Sequence, residues 1–187
     1  MKKVSFFLLG AAFLASSLAF VAPKNPKAPI TLAVQSDKSR VDFIGSKAGD
    51  FHTGTFAVKG GSVQVEGGKL VGGSFVIDLA NLKVTDAAGE RLAGHLKSAD
   101  FFDVAKFGEA VYTISSVDYS SATACKINGT LNIKGVGVPV SFDANIRSAS
   151  EKGLFGQAYF SLDRTLLGIA YAGPSKDVQI AVHLFAK

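Results

Sequence analysis

Three histidines, one cysteine and a short acidic run are the side chains of this sequence best suited to binding a metal or breaking a bond. His52, His95 and His183 lie far apart. None has a partner at the i, i+2 or i, i+4 spacing that presents two imidazoles to one ion, so a zinc or iron site has little support. No Gly-x-Ser-x-Gly elbow occurs. Cys125 falls on a strand face expected to be buried, where a thiol is an apolar filler and not a nucleophile. Asp100 and Asp103 would face one another on a helical turn, and with His95 they give the one acid–base constellation, suited to a hydrolase or isomerase. Capping of a short helix explains the same acids without a substrate. His183 is expected on a solvated strand face, and His52 in a loop or at a barrel mouth.

The elements that must position these groups are strands. From Ile30 onward the dominant period is two, interrupted by glycine. Cys125, Ile127, Gly129, Leu131 and Ile133 share one face, and Val138, Val140, Phe142, Ala144 and Ile146 share one face beyond Gly135-Val136-Gly137. That pattern is a hairpin with one apolar and one wet side. Strands are expected near 30–35, 40–46, 54–59, 62–66, 69–79, 110–118, 124–134, 138–147, 154–163 and 177–186, with Gly60-Gly61 and Gly67-Gly68 as turns. Asp86 is placed to cap a helix over 87–97, with Leu92 and Leu96 at the i, i+4 spacing of a buried stripe. A long antiparallel sheet with one apolar face and a single helical excursion suits an all-β antiparallel barrel of about eight strands closed at one end. A two-sheet sandwich is the alternative.

The segment before Ile30 carries an address. Lys2 and Lys3 precede an apolar run from Phe6 to Leu14, too short to span a bilayer, and small residues follow. A secretory signal over 1–22 is expected, cut after Ala19 or Ala22, then a Pro-rich spacer over 23–29 and one domain over 30–187. The destination is periplasmic or secreted. With a single cysteine no intramolecular disulfide is available. Loss of Lys2 and Lys3 lowers the net charge from +5 to +3. The cations are scattered and often alternate with acids, so nucleic acid is not an expected partner.

One stretch remains: Leu92-Ala93-Gly94-His95-Leu96-Lys97-Ser98-Ala99-Asp100-Phe101-Phe102-Asp103. It resembles the central motif of the YceI-like proteins, a His-Leu-x-Ser-x-x-Phe-Phe-Asp run that follows a helix. Gly73 to Asp78, Gly129 to Val136 with Pro139, and Asp163-Arg164 with Gly168-Ile169 agree with that family in order and spacing. Leu92-Ala93 stands where many relatives carry Arg-Asp, and Gly108 where a proline is common. The resemblance implies a lipocalin-like barrel with an elongated interior for a polyisoprenoid, an isoprenoid quinone or another long-chain lipid. It implies no catalytic apparatus and no cofactor, and transient membrane contact is compatible with it.

Candidate ligand contacts are the aromatics of the apolar strand faces, Phe43, Phe56, Phe75, Phe142 and Phe160. Ile77, His95, Phe101 and Phe102 lie within the matched motifs, with one phenylalanine of the Phe101-Phe102 pair expected as a gate. His95 is expected to tie the helix to a backbone or hydroxyl group. Strand aromatics also fill small barrels that bind nothing, which leaves an envelope stress or interaction protein as the other non-enzymatic reading. Gly54, Gly72, Gly73, Gly129 and Gly156 favour a cavity, since glycine on a strand leaves room.

Overall fold

The computed structural model describes residues 28–187; the expected signal and all of the spacer except Ala28 and Pro29 lie outside the described residues. Nine antiparallel strands follow in order, β1 (Ile30–Ala33), β2 (Arg40–Lys47), β3 (Asp50–Glu66), β4 (Lys69–Val84), β5 (Glu109–Tyr119), β6 (Ala124–Ile133), β7 (Val136–Ser150), β8 (Gly153–Asp163) and β9 (Pro174–Ala186). One helix, α1 (Gly89–Lys97), interrupts them between β4 and β5. Each strand from β2 to β9 pairs with its sequence neighbour, β4 and β5 doing so across the intervening helix, and β2 pairs with β9 to close the ring. The result is a closed barrel of eight staves. Closure removes the exposed edges that an open sheet would carry.

β1 is not a ninth stave. Long β3 pairs with β2 over its first half and with β1 over its last residues, from Ser62 to Val65. Thus β1 and β2 divide one position between β3 and β9. At the foot of that position the last residue of β1 meets Lys187 beyond β9: Ala33 and Lys187 exchange both backbone hydrogen bonds, at 3.0 and 2.9 Å, and Val34 bridges Ala186.

Two expectations about local structure are corrected. Gly60-Gly61 is not a turn, because β3 runs straight through it with a register shift between Val58 and Gly60. A Cβ at Gly61 would stand 2.2 Å from the Ser74 carbonyl oxygen, and one at Gly73 would stand 2.4 Å from that of Ser62. These glycines let the two longest strands cross closely, which a side chain at either position would forbid. Gly67-Gly68 does form the β3–β4 turn, both residues at positive φ.

The second correction concerns Asp86. The helix cap is Ala88, which offers no side-chain hydrogen bond. Asp86 instead accepts from the backbone N–H of Ala88 at 2.8 Å and of Thr53 at 2.7 Å. Its carboxylate therefore joins the helix entry to the start of β3. Ala93 is fully buried beneath the helix, and Leu92 and Leu96 face the barrel interior.

Candidate functional site

Inside the barrel, on the helix side, lies a cavity of about 210 Å³. Its walls follow from the period of two: alternate residues of β2, β8 and β9, such as Phe43, Phe160 and Ile180, point inward while their neighbours face water. Eight of the nine expected contacts line it: Phe43, Phe56, Phe75, Ile77, Phe101, Phe102, Phe142 and Phe160. Apart from Tyr112, polar side chains enter only at the upper rim, where Ser46 and Lys47 of β2, His52 of β3, Arg164 and Ser175 surround the space. An apolar shaft beneath a polar collar suits an elongated molecule with one hydrophilic end.

His95 is the exception and is corrected here. It does not line the cavity. Its ring stands edge-on to Phe101 and Tyr171, both at 5.0 Å between centroids, and its Nε2 is 3.4 Å from an Asp100 carboxylate oxygen. The expected tie to a backbone or hydroxyl group is thus replaced by aromatic packing and a carboxylate. With side chains 38% and 62% exposed, the His95–Asp100 pair sits on the outer side of the helical cover. Asp103 turns away to Lys106, at 3.0 Å. Of the acid–base constellation read from the sequence, His95 and Asp100 are thus brought together and Asp103 is not, and neither member of the pair lines the cavity.

Phe101 and Phe102 both face inward, whereas the sequence suggested that only one would do so readily. The turn after α1 makes this feasible: Phe102 N–H bonds back to the Leu96 carbonyl at 3.1 Å, and Asp103 adopts a left-handed φ of 50°. The Lys134 ammonium holds the Phe101 carbonyl from the β6–β7 turn. Phe102 then meets Phe56 edge-to-face at 5.5 Å, and Phe56 meets Phe43 at 5.1 Å. Contacts of this kind contribute about 0.5–1.5 kcal/mol each beyond their buried area.

Of the cavity residues not anticipated as contacts, two are held by side-chain hydrogen bonds to backbone carbonyls. Tyr112 of β5 is one, although its alternation with Ala110 and Ile114 already placed it on an inward face. Its ring lies over Gly129 of β6, where a Cβ would come within 2.5 Å of it, and its hydroxyl donates to the Val140 carbonyl on β7 at 2.9 Å. Burial pushes the phenol pKa up to about 12, so it remains a donor throughout the neutral range. Gly129 and Gly54 thus do leave room, but an aromatic ring occupies it in each case: Tyr112 over the first and Phe43 over the second. The expectation that these glycines open a cavity is corrected accordingly.

Arg164 is the other. It is 8% exposed, and its guanidinium donates to the carbonyls of Ser175, Ile169, Tyr171 and Pro174 at 2.8, 2.6, 2.8 and 2.8 Å. No acid lies within ion-pairing distance of it among the described residues. Its role is to fold the β8–β9 connection over the rim. The conjunction of Asp163-Arg164 with Gly168-Ile169 was the only sequence signal for this, and Gly168 supplies the left-handed residue, φ 71°, that ends the short 3₁₀ turn Arg164–Leu167.

His52 lines the rim, its Nδ1 3.4 Å from Asp86 and its Nε2 3.8 Å from Asp50. His183 is less solvated than expected: on the outer face it is 3.2 Å from the Gln157 amide and 3.8 Å from Asp42. Among the described residues no group of three or more His, Cys, Asp and Glu could hold a metal ion, and no helix is long and apolar enough to cross a membrane.

The sequence profile of the YceI-like domain matches residues 32–186, which is nearly the whole barrel. The chain belongs to the YceI-like family. Among relatives of this YceI-like chain, a UPF0312 protein of Pseudomonas fluorescens is 28% identical over 127 residues, 65% of this chain and 66% of that protein. A UPF0312 protein of Pseudomonas putida is 29% identical over 62% of this chain and 60% of its own length. The chain thus spans less than two thirds of the curated relatives it matches. In three dimensions the YceI-like barrel superimposes on BcnA of Burkholderia cenocepacia with a TM-score of 0.70 at 18% identity, over 82% of this chain and 99% of that one. A polyisoprenoid binding domain from Saccharophagus degradans gives 0.66 at 16% identity, over 83% and 97%. These likenesses establish a shared fold.

Proposed function

We propose that this chain is an exported, non-enzymatic carrier that holds a long apolar ligand of the polyisoprenoid, isoprenoid quinone or fatty-lipid class inside the barrel. The observation that carries the proposal is the cavity itself, apolar along its shaft and charged only at the rim. Each CH₂ left in water costs about 0.8 kcal/mol, so a shaft of this kind favours a hydrocarbon tail and disfavours a polar solute. Transfer between such a shaft and a bilayer exchanges two apolar environments, and uptake and release then need no covalent step. The polyisoprenoid binding domain that shares this fold supports the choice of ligand class. The separation of His95 and Asp100 from the shaft favours holding over turnover. A leader over residues 1–22 would deliver the barrel to the periplasm or the exterior, where a lipid needs a carrier most.

Organic extraction of natively purified protein followed by mass spectrometry tests the proposal. One lipid class recovered in near-stoichiometric amount is expected. Protein that yields no lipid, and that after extraction binds no fluorescent fatty-acid probe, would leave the filled-barrel interaction protein in its place.

A further inference from the structure

The barrel interior is longer than its cavity. Beneath the 210 Å³ space lies a second, much smaller one of about 30 Å³, lined by Ile114, Ile127, Ala144, Ile146 and Leu184 among others. Four residues border both spaces: Phe75 of β4, Tyr112 of β5, Phe142 of β7 and Val182 of β9. They come from staves around the ring and meet across it. Phe75 and Tyr112 are 5.7 Å apart between centroids, and Tyr112 and Phe142 are 5.4 Å apart. Phe160 stacks on Phe142 at 4.4 Å, nearly parallel.

This layer is held from several sides. The Tyr112 hydroxyl is fastened to Val140 across the bare backbone of Gly129, and Phe75, Tyr112 and Phe142 are all buried. A single aromatic ring in a barrel can change rotamer. Three rings joined in series through Tyr112, which is itself tied to the backbone of a stave two positions away, must move together, which costs packing at each contact.

Resting on the carrier reading, we propose that Phe75, Tyr112 and Phe142 form a floor that sets the length of apolar chain the barrel accepts. A chain shorter than the shaft gains affinity with every added unit. A longer one gains nothing more from the units beyond the floor, which stay at the rim or double back. The lower space, too small for another isoprene unit without displacing side chains, stays outside the binding site.

The test is competition by a series of linear prenols, from geraniol and farnesol through geranylgeraniol to longer members, against cis-parinaric acid bound to the delipidated full chain. Affinity should rise by about tenfold or more for each added isoprene unit and then break to changes within about threefold. Phe142→Ala should shift the break by at least one unit. Ala144→Leu, which fills the space below the floor, should leave the break of the otherwise unchanged protein in place, and this arm remains decisive should Phe142→Ala fail to fold. Affinity climbing without a break, a break unmoved in folded Phe142→Ala, or one shortened by Ala144→Leu would each overturn the floor while leaving the carrier standing. Absence of binding at every length, the probe included, would remove the carrier reading and the floor with it.

Discussion

Phe43 of β2 lies across Gly54 of β3, its directly paired neighbour, so closely that a Cβ on Gly54 would stand 2.3 Å from the ring and 2.5 Å from the Lys83 carbonyl oxygen. The glycine is the seat of the aromatic, and the aromatic covers backbone that glycine alone would leave open. Gly54→Ala should therefore lower stability by about 1–3 kcal/mol through overpacking. Chemical denaturation read by tyrosine fluorescence measures this. An alanine variant as stable as the parent would show that β3 and β4 part without cost there.

Removal of the Arg164 guanidinium would leave four carbonyls of the β8–β9 connection without their donor. Arg164→Met should cost about 2–4 kcal/mol, and Arg164→Lys should recover only part of it, because an ammonium cannot reproduce the planar fork. Hydrogen exchange over residues 169–175 should accelerate well before the barrel melts. Unchanged exchange in this loop in the methionine variant would contradict a clamp.

His95 packs outside the cavity, and its replacement should separate stability from binding. His95→Gln is expected to lose about 1 kcal/mol with its two edge-on ring contacts while probe affinity stays within about threefold. A larger loss of affinity at unchanged melting temperature would return His95 to the binding site.

Asp86 gives the fold an acid-sensitive point. Hydrogen bonds from the Ala88 N–H and then the Thr53 N–H, assisted by His52, hold its carboxyl below the ordinary value of 3.8. A carboxylate with a depressed folded-state pKa lends stability that is complete well above its unfolded value and is lost as pH falls through its folded one. Asp86→Asn should thus destabilise the protein at neutral pH, and the difference from the parent should shrink below about pH 4. A difference that is constant from neutrality to that range would show that the ionised form is not what holds α1 to β3.

Export is checked by intact mass of material recovered from the periplasm or medium of an expressing bacterium. A chain beginning at Phe20 or Pro23 is expected from the small residues that follow the apolar run. A mass that includes Met1 in that fraction would defeat the assignment of a cleaved leader.

The strands from β5 to β9 were legible in the sequence because each alternates apolar and polar residues over ten residues or more, and one buried face fixes which side chains point inward. The aromatic walls followed directly. What period two cannot report is which glycine marks a turn and which lets another chain come close. Gly67-Gly68 and Gly60-Gly61 look alike in one dimension, yet the first pair reverses the chain and the second lies against a strand more than ten residues away. The same blindness hid the floor. Tyr112 was visible as an inward residue, but its reach over Gly129 depends on a register that links three strands. His95 misled for a different reason: it lies one residue before Leu96, which does face the shaft, and a helix separates neighbours by about a quarter turn.

The paired hydrogen bonds between Ala33 and Lys187 set β1 and the end of β9 side by side at the foot, while the rim, the helix and the β8–β9 connection occupy the opposite end. A circular permutant joined through that seam and opened at the Ser120–Thr123 loop, also at the foot, would keep all eight staves. By the same geometry, a dye, bead or partner domain attached after Lys187 would hold the barrel upright with its rim facing away. Single-molecule or surface measurements of lipid exchange could then be made without obstructing the entrance.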